Sequence, residues 1–480
     1  MADERSFFET GLDEPLIVAN EPRPPREKLN PPQWLRKRLF NSWYNSAVTL
    51  VLIPVIAYLG WRFFSFLVFN ARWDPVRNNL TLFMVGRFPR AELWRVVAQV
   101  VIWSSAIGLA WGAAVAGAKA RALRAGLPYR EDPLLAKVRR YGALLVIVGL
   151  FLAMTQTWGP LIIFAGSVAS AAVLQFLGSR TAAEHVAFLW AGVAVLGVAG
   201  FQVVSGFYGN GWLWMGVPIA VAASKLVGRI EWSSPLAARL ARLGGVAVVL
   251  VVAYVAYMVI DHRGVGWEQW EGLRLNLLAA PIAIVLAFPL GVALAIARRS
   301  SFPALRIIST GYIELIRGVP LISLLLMGQF FIGFFLNTTT PLSSITRAIT
   351  ALTMFTSAYI AEIVRGGLQS IPRVQVEAGQ SVGLRPFTII RLIVLPQALR
   401  NVIPAMVGQF IALTKDTTLL SIIAVADLLY VRGIVHAQAE YRAFGIAETL
   451  VFVALIFWAI TFSMSRESQR LERKLGVGER

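Results

Sequence analysis

Apolar runs of nearly membrane-spanning length recur along the chain, separated by short segments rich in arginine, glycine and proline. The runs are continuous rather than alternating, so they predict helices and not the strands of an outer-membrane barrel. Before the tryptophan-bearing segment DHRGVGWEQWEGLR the predicted spans are Ser46 to Phe66, Val96 to Ala116, Tyr141 to Trp158, Pro160 to Leu177, His185 to Phe207, Trp212 to Val227 and Gly244 to Ile260. After it come Leu273 to Ala297, Pro320 to Leu336, Ile345 to Val364, Ile403 to Leu419 and Ala447 to Ser465. A hydrocarbon core of about 30 Å takes about 20 helical residues, and lipid obliges each span to satisfy its own backbone groups. Gly159-Pro160 leaves Tyr141 to Leu177 readable as two helices or as one bent helix. The pattern predicts an all-α, polytopic integral membrane protein.

Composition agrees, because a chain that is 57% hydrophobic and 15% charged has too little polar surface for a water-soluble domain. The net charge of +19 could suggest nucleic acid. Its distribution argues for topology instead. Six basic residues face the single acid Glu27 between Arg23 and Arg38, just before the first span. Further clusters lie between apolar runs: Lys119 to Arg140, Lys225 to Arg242, Arg298 to Arg306, Arg373 to Arg400, and Arg466 to Lys474. Basic residues in short loops mark the cytoplasmic side, and no basic patch interleaved with aromatics stands apart from a span. No nucleic-acid partner is expected.

That rule places both termini in the cytoplasm and runs the Leu273 span from outside to inside. An odd number of spans then precedes it, seven or alternatively five. One loop resists: Arg72, Arg77, Arg87 and Arg90 fall in a segment that this topology puts outside. Trp267 and Trp270 are expected in an interfacial aromatic belt. The first 40 residues, with EPRPPREKLNPP, lack an apolar centre and read as a cytoplasmic arm rather than a signal peptide. Cysteine is absent, and His185, His262 and His436 have no ligand-spaced neighbours, so no metal site is expected. Tyr430 and His436 are expected on a solvated external loop.

The run Glu377 to Pro396, EAGQSVGLRPFTIIRLIVLP, is polar and turn-rich between two apolar stretches. Glu377 to Val382 predicts a short helix, Gly383 its left-handed end and Pro386 the first turn of a second. Two short helices at an angle make a rigid projection. Within spans, Glu362 and Arg365 share a helix face and are expected to pair. Lys415, Asp416, Thr417 and Thr418 form a polar cluster suited to an amino acid zwitterion or to helix–helix contacts. Thr356, Ser357 and Tyr359 are expected to line a path or to bond across helices.

From Gly272 to the end, the chain resembles the permease subunits of binding-protein-dependent ABC importers, in the polar amino acid family. The resemblance rests on segments in order. GLRLNLLAAPIAIVLAFPLGVALAIARRS looks like the first core span, and YIELIRGVPLISLLL carries Glu314, Leu315, Arg317, Gly318, Pro320 and Leu321 of the second. TSAYIAEIVRGGLQSIP resembles the third segment and KDTTLLSIIAV the fifth. The fourth is similar to the family's EAA loop: Glu377, Ala378, Gly383, Ile393, Leu395 and Pro396 fall at its spacing, and Gly379 replaces the second alanine. The N-terminal extension suggests the larger subunit of the general L-amino acid (AapM/BztC-like) type.

The resemblance implies a five-helix type I permease core at residues 266–480, with an EAA loop at 372–396. An arm at 1–44 and an extension of five to seven helices at 45–265 would precede it. It implies that Glu377, Ala378, Gly379, Gly383, Leu384, Phe387, Ile393, Leu395 and Pro396 couple to an ATPase, with Leu384 and Phe387 as apolar anchors. Implied partners are a dimer of ABC ATPase subunits, a second homologous permease, a periplasmic amino acid-binding protein and membrane lipid, in the bacterial inner (cytoplasmic) membrane. No Walker motif is present, so the chain itself is expected to be no enzyme and to bind no cofactor, ATP and magnesium sitting on the partner ATPase. The alternative is a self-sufficient, ion-coupled secondary amino acid transporter, which calls for buried acids or an inverted repeat.

Overall fold

The computed structural model describes residues 30–126, 158–205, 235–259, 264–335 and 342–475, with positions 145, 148–149, 219–221 and 224. The expected spans Tyr141 to Trp158 and Trp212 to Val227, the first 29 residues and most of the Lys119 to Arg140 cluster lie largely outside these residues. Among the described residues all regular structure is helical, apart from one parallel bridge between Gly272 and Asp427. The chain divides into two compact units, Met1–Ala71 and Arg72–Arg480.

The first unit holds α1 (Pro31–Arg38) and α2 (Trp43–Ser65), which runs on into a π turn over Phe66–Asn70. Ser42 starts α2 by accepting a hydrogen bond from the Asn45 backbone N–H. No residue of α2 is buried, although it is apolar on every side. A helix of that kind is suited to acyl chains all round.

The second unit begins with α3 (Asp74–Asn78) and α4 (Leu80–Val85), followed by α5 (Leu93–Arg124), α6 (Trp158–Ser179), α7 (Val186–Ser205) and α8 (Pro235–Val259). Small residues let α5 and α6 approach backbone to backbone. A Cβ at Gly108 would overlap the Ala171 carbonyl, and one at Gly112 would lie 2.8 Å from both the Gln175 oxygen and the Gly178 Cα. Glycines four apart form one such face. Gly108→Leu drives a side chain into main chain that cannot yield, so it is expected to destabilise the purified protein by about 1–3 kcal/mol or more, read as a lower midpoint of thermal unfolding in detergent.

The remaining helices are α9 (Gly272–Ala297), α10 (Pro303–Gly318), α11 (Leu321–Phe335), α12 (Ser344–Gln369), α13 (Arg373–Ser381), α14 (Pro386–Ile389), α15 (Leu395–Asp416), α16 (Leu428–Ala437) and α17 (Ile446–Leu475). Along α9 the buried positions Ala279, Ala283, Ala287, Gly291 and Ala295 recur every fourth residue and face α12. Two apolar clusters follow that seam, one around Leu275, Leu325 and Leu352, the other around Ile313, Ile360, Val364 and Ala398. Seven described helices are long and apolar enough to cross a membrane, eight if a bent pair counts as one span. Helix α12 is not among the seven, yet it is largely buried. It packs against protein rather than lipid, so polar and small residues suit it.

The expected single span from Pro320 is instead the second limb of that bent pair. Helices α10 and α11 meet at 108°. Val319 is extended (φ −99°, ψ 134°) because Pro320 disfavours the helical region in the residue before it. Trp270 is also corrected: it is 2% exposed, donates its indole N–H to the Val265 carbonyl at 3.1 Å and belongs to the protein core rather than a lipid belt.

Candidate functional site

The predicted projection forms between α12 and α15. Helix α13 ends in a Schellman motif, with Gly383 N–H donating to the Gln380 carbonyl at 2.9 Å and Leu384 N–H to the Gly379 carbonyl at 3.1 Å. Gly383 sits at φ +79°, which disfavours any side chain. Arg385 is extended (φ −66°, ψ 146°) before Pro386, which opens α14. The glycine at 379 now has a reason: a Cβ there would come within 3.0 Å of Ile389, so glycine lets α13 settle closely on α14.

Glu377, Ala378, Gly383, Phe387 and Pro396 are exposed; Gly379 is buried; Leu384, Ile393 and Leu395 are half-buried. Phe387 is 70% exposed and is joined by exposed Val374, Val382 and Leu392. Leu384 turns inward against the Ile360–Ala398 cluster, so of the two expected anchors Phe387 is the outward-facing one. The projection is tied to its neighbours: Asn401 Nδ2 donates to Ser370 Oγ at 3.0 Å, and Gln397 side chains join Gln375 and the Ile393 carbonyl.

At the same end of the bundle the Glu362–Arg365 pair forms, within a larger group. Glu362 Oε1 accepts from Arg365 Nε at 2.9 Å, while Oε2 lies 3.2 Å from Arg298 Nη1 and 3.7 Å from Arg317 Nη1. Arg298 also reaches Glu314 at 2.8 Å. Two carboxylates thus hold three guanidiniums from the end of α9, from α10 and from α12.

The other end of α9 carries a buried polar network that sequence reading missed. Asn276 donates to Thr417 Oγ1 (3.0 Å) and to Asp427 Oδ2 (3.3 Å), and its Oδ1 accepts from Leu428 N–H at 2.9 Å. Asp427 Oδ1 caps α16 by accepting from Tyr430 N–H at 2.9 Å. Burial pushes the Asp427 carboxyl up to about 6, against the opposing pull of its hydrogen bonds. A polar residue in the apolar run LNLLAAPI was the available signal at Asn276.

The expected path residues separate into different settings. Thr417 is fully buried in the network just described. Ser357 bonds across helices to Tyr312 at 2.9 Å, and the Tyr359 ring lies tilted against Phe355 with centroids 4.7 Å apart. Thr356 is buried with no partner for its hydroxyl among the described residues. Lys415 is exposed, Asp416 half-buried, and Thr418 donates to the Lys415 carbonyl. His436 is corrected: it lies on α16, half-buried, with Nδ1 3.1 Å from the Tyr441 carbonyl and Nε2 2.8 Å from Thr449 Oγ1. Tyr430 is likewise half-buried.

The basic loop that resisted the topology is a clasp onto the core. Arg87 pairs with Glu271 at 2.6 Å, and that hydrogen bond holds its guanidinium above the usual arginine range. Arg72 N–H donates to Glu448 at 2.9 Å while its guanidinium lies over the Phe444 ring. Asn78 donates to the Tyr441 hydroxyl at 2.8 Å, and Phe83 meets Phe452 edge to face. Arg274, only 6% exposed, is held between the rings of Phe88 and Trp270 at 4.5 and 4.3 Å. Such desolvated cation–π contacts contribute about 2 kcal/mol.

The Binding-protein-dependent transport system inner membrane component family matches the chain over residues 287–477. Over 232 residues the chain is 44% identical to the Inner membrane amino-acid ABC transporter permease protein YhdY of Escherichia coli, covering 48% of this chain and 62% of that protein, less than two thirds of its length. A crystal structure of an amino acid ABC transporter with histidines is 30% identical, covers 42% of this chain and 92% of its own, and superposes with a TM-score of 0.38. The Glutamate/glutamine/aspartate/asparagine transport system permease protein BztC of Rhodobacter capsulatus is 31% identical over 467 residues, 95% of this chain and 96% of that protein. With almost the whole of such a relative matched, the chain belongs to the binding-protein-dependent family of ABC transporter permeases.

Proposed function

We propose that this chain is the permease subunit of an ATP-driven amino acid importer, moved by separate ATPase subunits that grip residues 372–396. The carrying observation is the rigid projection: an exposed acid at Glu377, exposed Phe387, Val374 and Val382, and a hydrogen-bonded Schellman turn between two helices. Apolar groups this exposed outside a span suit burial in a partner's cleft. The names of the relatives supply the substrate class, amino acids. In this reading residues 1–44 are a cytoplasmic arm, 45–265 an extension and 266–480 the core, with both termini and the projection on the cytoplasmic side.

The mechanism follows from how the projection is attached. A pull on α13 passes through Ser370–Asn401 and the end of α12 to Glu362, which bridges α9, α10 and α12. Two permeases facing one another then open to one side or the other as the ATPases close and separate. A binding protein delivers substrate on the outer side. ATP and magnesium belong to the ATPases.

Tagged full-length protein extracted in mild detergent is expected to bring down an ATPase polypeptide, and vesicle uptake of labelled amino acid is expected to require ATP. Recovery of no ATPase, with uptake abolished by a protonophore and indifferent to ATP, would establish the ion-coupled alternative instead.

A further inference from the structure

The clasp leaves an open groove of about 560 Å3 at its seam with α16, lined by Asn78, Asn79, Thr81, Arg90 and Gln438 together with three aliphatic side chains. The lining contains one cation and no acid. Arg90 is exposed, and among the described residues its guanidinium has no hydrogen-bond or ion-pair partner. The acid two residues on, Glu92, is taken by Arg95 at 2.6 Å. The rim is fixed by its own amides: Gln438 Nε2 donates to Asn79 Oδ1 at 3.0 Å, Asn79 Nδ2 to the Pro75 carbonyl at 3.0 Å, and Asn78 Nδ2 to the Tyr441 hydroxyl at 2.8 Å.

We propose that this groove is a carboxylate-binding site, filled by an acidic side chain that a protein partner presents from outside the membrane. The proposal rests on the orientation adopted above for its sidedness. A planar guanidinium recognises a carboxylate through two parallel hydrogen bonds, and amides and a hydroxyl around it add further partners. The groove is open and, at about 560 Å3, much larger than one carboxylate, so a protruding loop suits it better than a free amino acid, which would be left largely in solvent. Because the groove is walled by both the clasp and α16, a loop seated there touches the extension and the core at once.

The test uses the full chain in nanodiscs with two probes, a fluorescent decapeptide of glutamate and free L-glutamate. The peptide is expected to bind saturably and more weakly as salt rises, the mark of an exposed charge pair. Arg90→Gln is expected to weaken it at least tenfold and Arg90→Lys less, because the lysine keeps the charge and loses the fork. Arg442→Gln removes a nearby exposed charge outside the lining and is expected to leave binding unchanged. Peptide binding indifferent to Arg90→Gln, or no peptide binding at all, overturns the site. L-glutamate binding as tightly as the peptide, and lost in Arg90→Gln, overturns the protein-loop occupant in favour of a small carboxylate. ATPase recovery from the same preparations reports on the importer reading separately, so the two can fail independently.

Discussion

Gly383→Pro is expected to abolish ATP-driven uptake while leaving the protein inserted in the membrane. Gly383 sits at φ +79° and donates its N–H to Gln380. Proline holds φ near −65° and has no N–H, so the Schellman turn cannot form and the angle between α13 and α14 is lost, a local cost of about 3 kcal/mol or more. The helices α9, α12 and α15 keep their packing, since Gly383 is exposed and touches none of it. Glu377→Lys is the companion variant. Its side chain is exposed, so reversing the charge costs the fold little, and loss of ATPase recovery then reports on the contact itself. Membrane fractionation checks insertion, vesicle uptake checks coupling, and pull-down checks assembly. Undiminished uptake in both variants sinks the assignment of residues 372–396.

Asn276→Leu carries the second largest expected effect. The substitution suits an apolar helix in shape, but it strips Leu428 N–H, Thr417 and Asp427 of a shared partner at one stroke. Asp427 is fully buried. Breaking a buried network that includes an ionisable group costs about 3–5 kcal/mol. The purified protein is expected to unfold at a markedly lower temperature in detergent, with new protease cleavage near Ala424–Asp427, where α16 is joined to the preceding helical turn. Asp427→Asn keeps an acceptor for Tyr430 N–H, so its loss is expected to be smaller. An Asn276→Leu protein that melts with the wild type contradicts the role given to this network.

Most helices were legible because lipid and core impose the same demand, a long apolar run. The projection was legible for a different reason: its features are local. A Schellman turn, a glycine at positive φ and a proline at the first helical position are all decided within a dozen residues. The Glu362–Arg365 pair, three residues apart, was legible for the same reason.

What escaped was decided by partners far along the chain. Trp270 looks interfacial until Val265, Phe201 and Phe88 close around it. His436 looks solvated until Thr449 and Tyr441 take both ring nitrogens. Arg72 and Arg87 looked like a breach of topology, yet their positions are engaged by Glu448 and Glu271. The bend at Val319 was foreshadowed by Pro320, but Pro303–Gly318 was not read as the other limb of a pair meeting at 108°.

The clasp also dictates an order of assembly. Arg72 and Glu448 are 376 residues apart, so the bond between them cannot form until the first turn of α17 has been made. At roughly 5–20 residues per second of synthesis that delay is on the order of 20–75 seconds. For that interval only the Arg72 end of the loop lacks its partner, since Arg87 can pair once Glu271 is made, 184 residues on. Closure of the clasp therefore comes in two stages, Arg87 onto Glu271 first and Arg72 onto Glu448 only after α17 has begun.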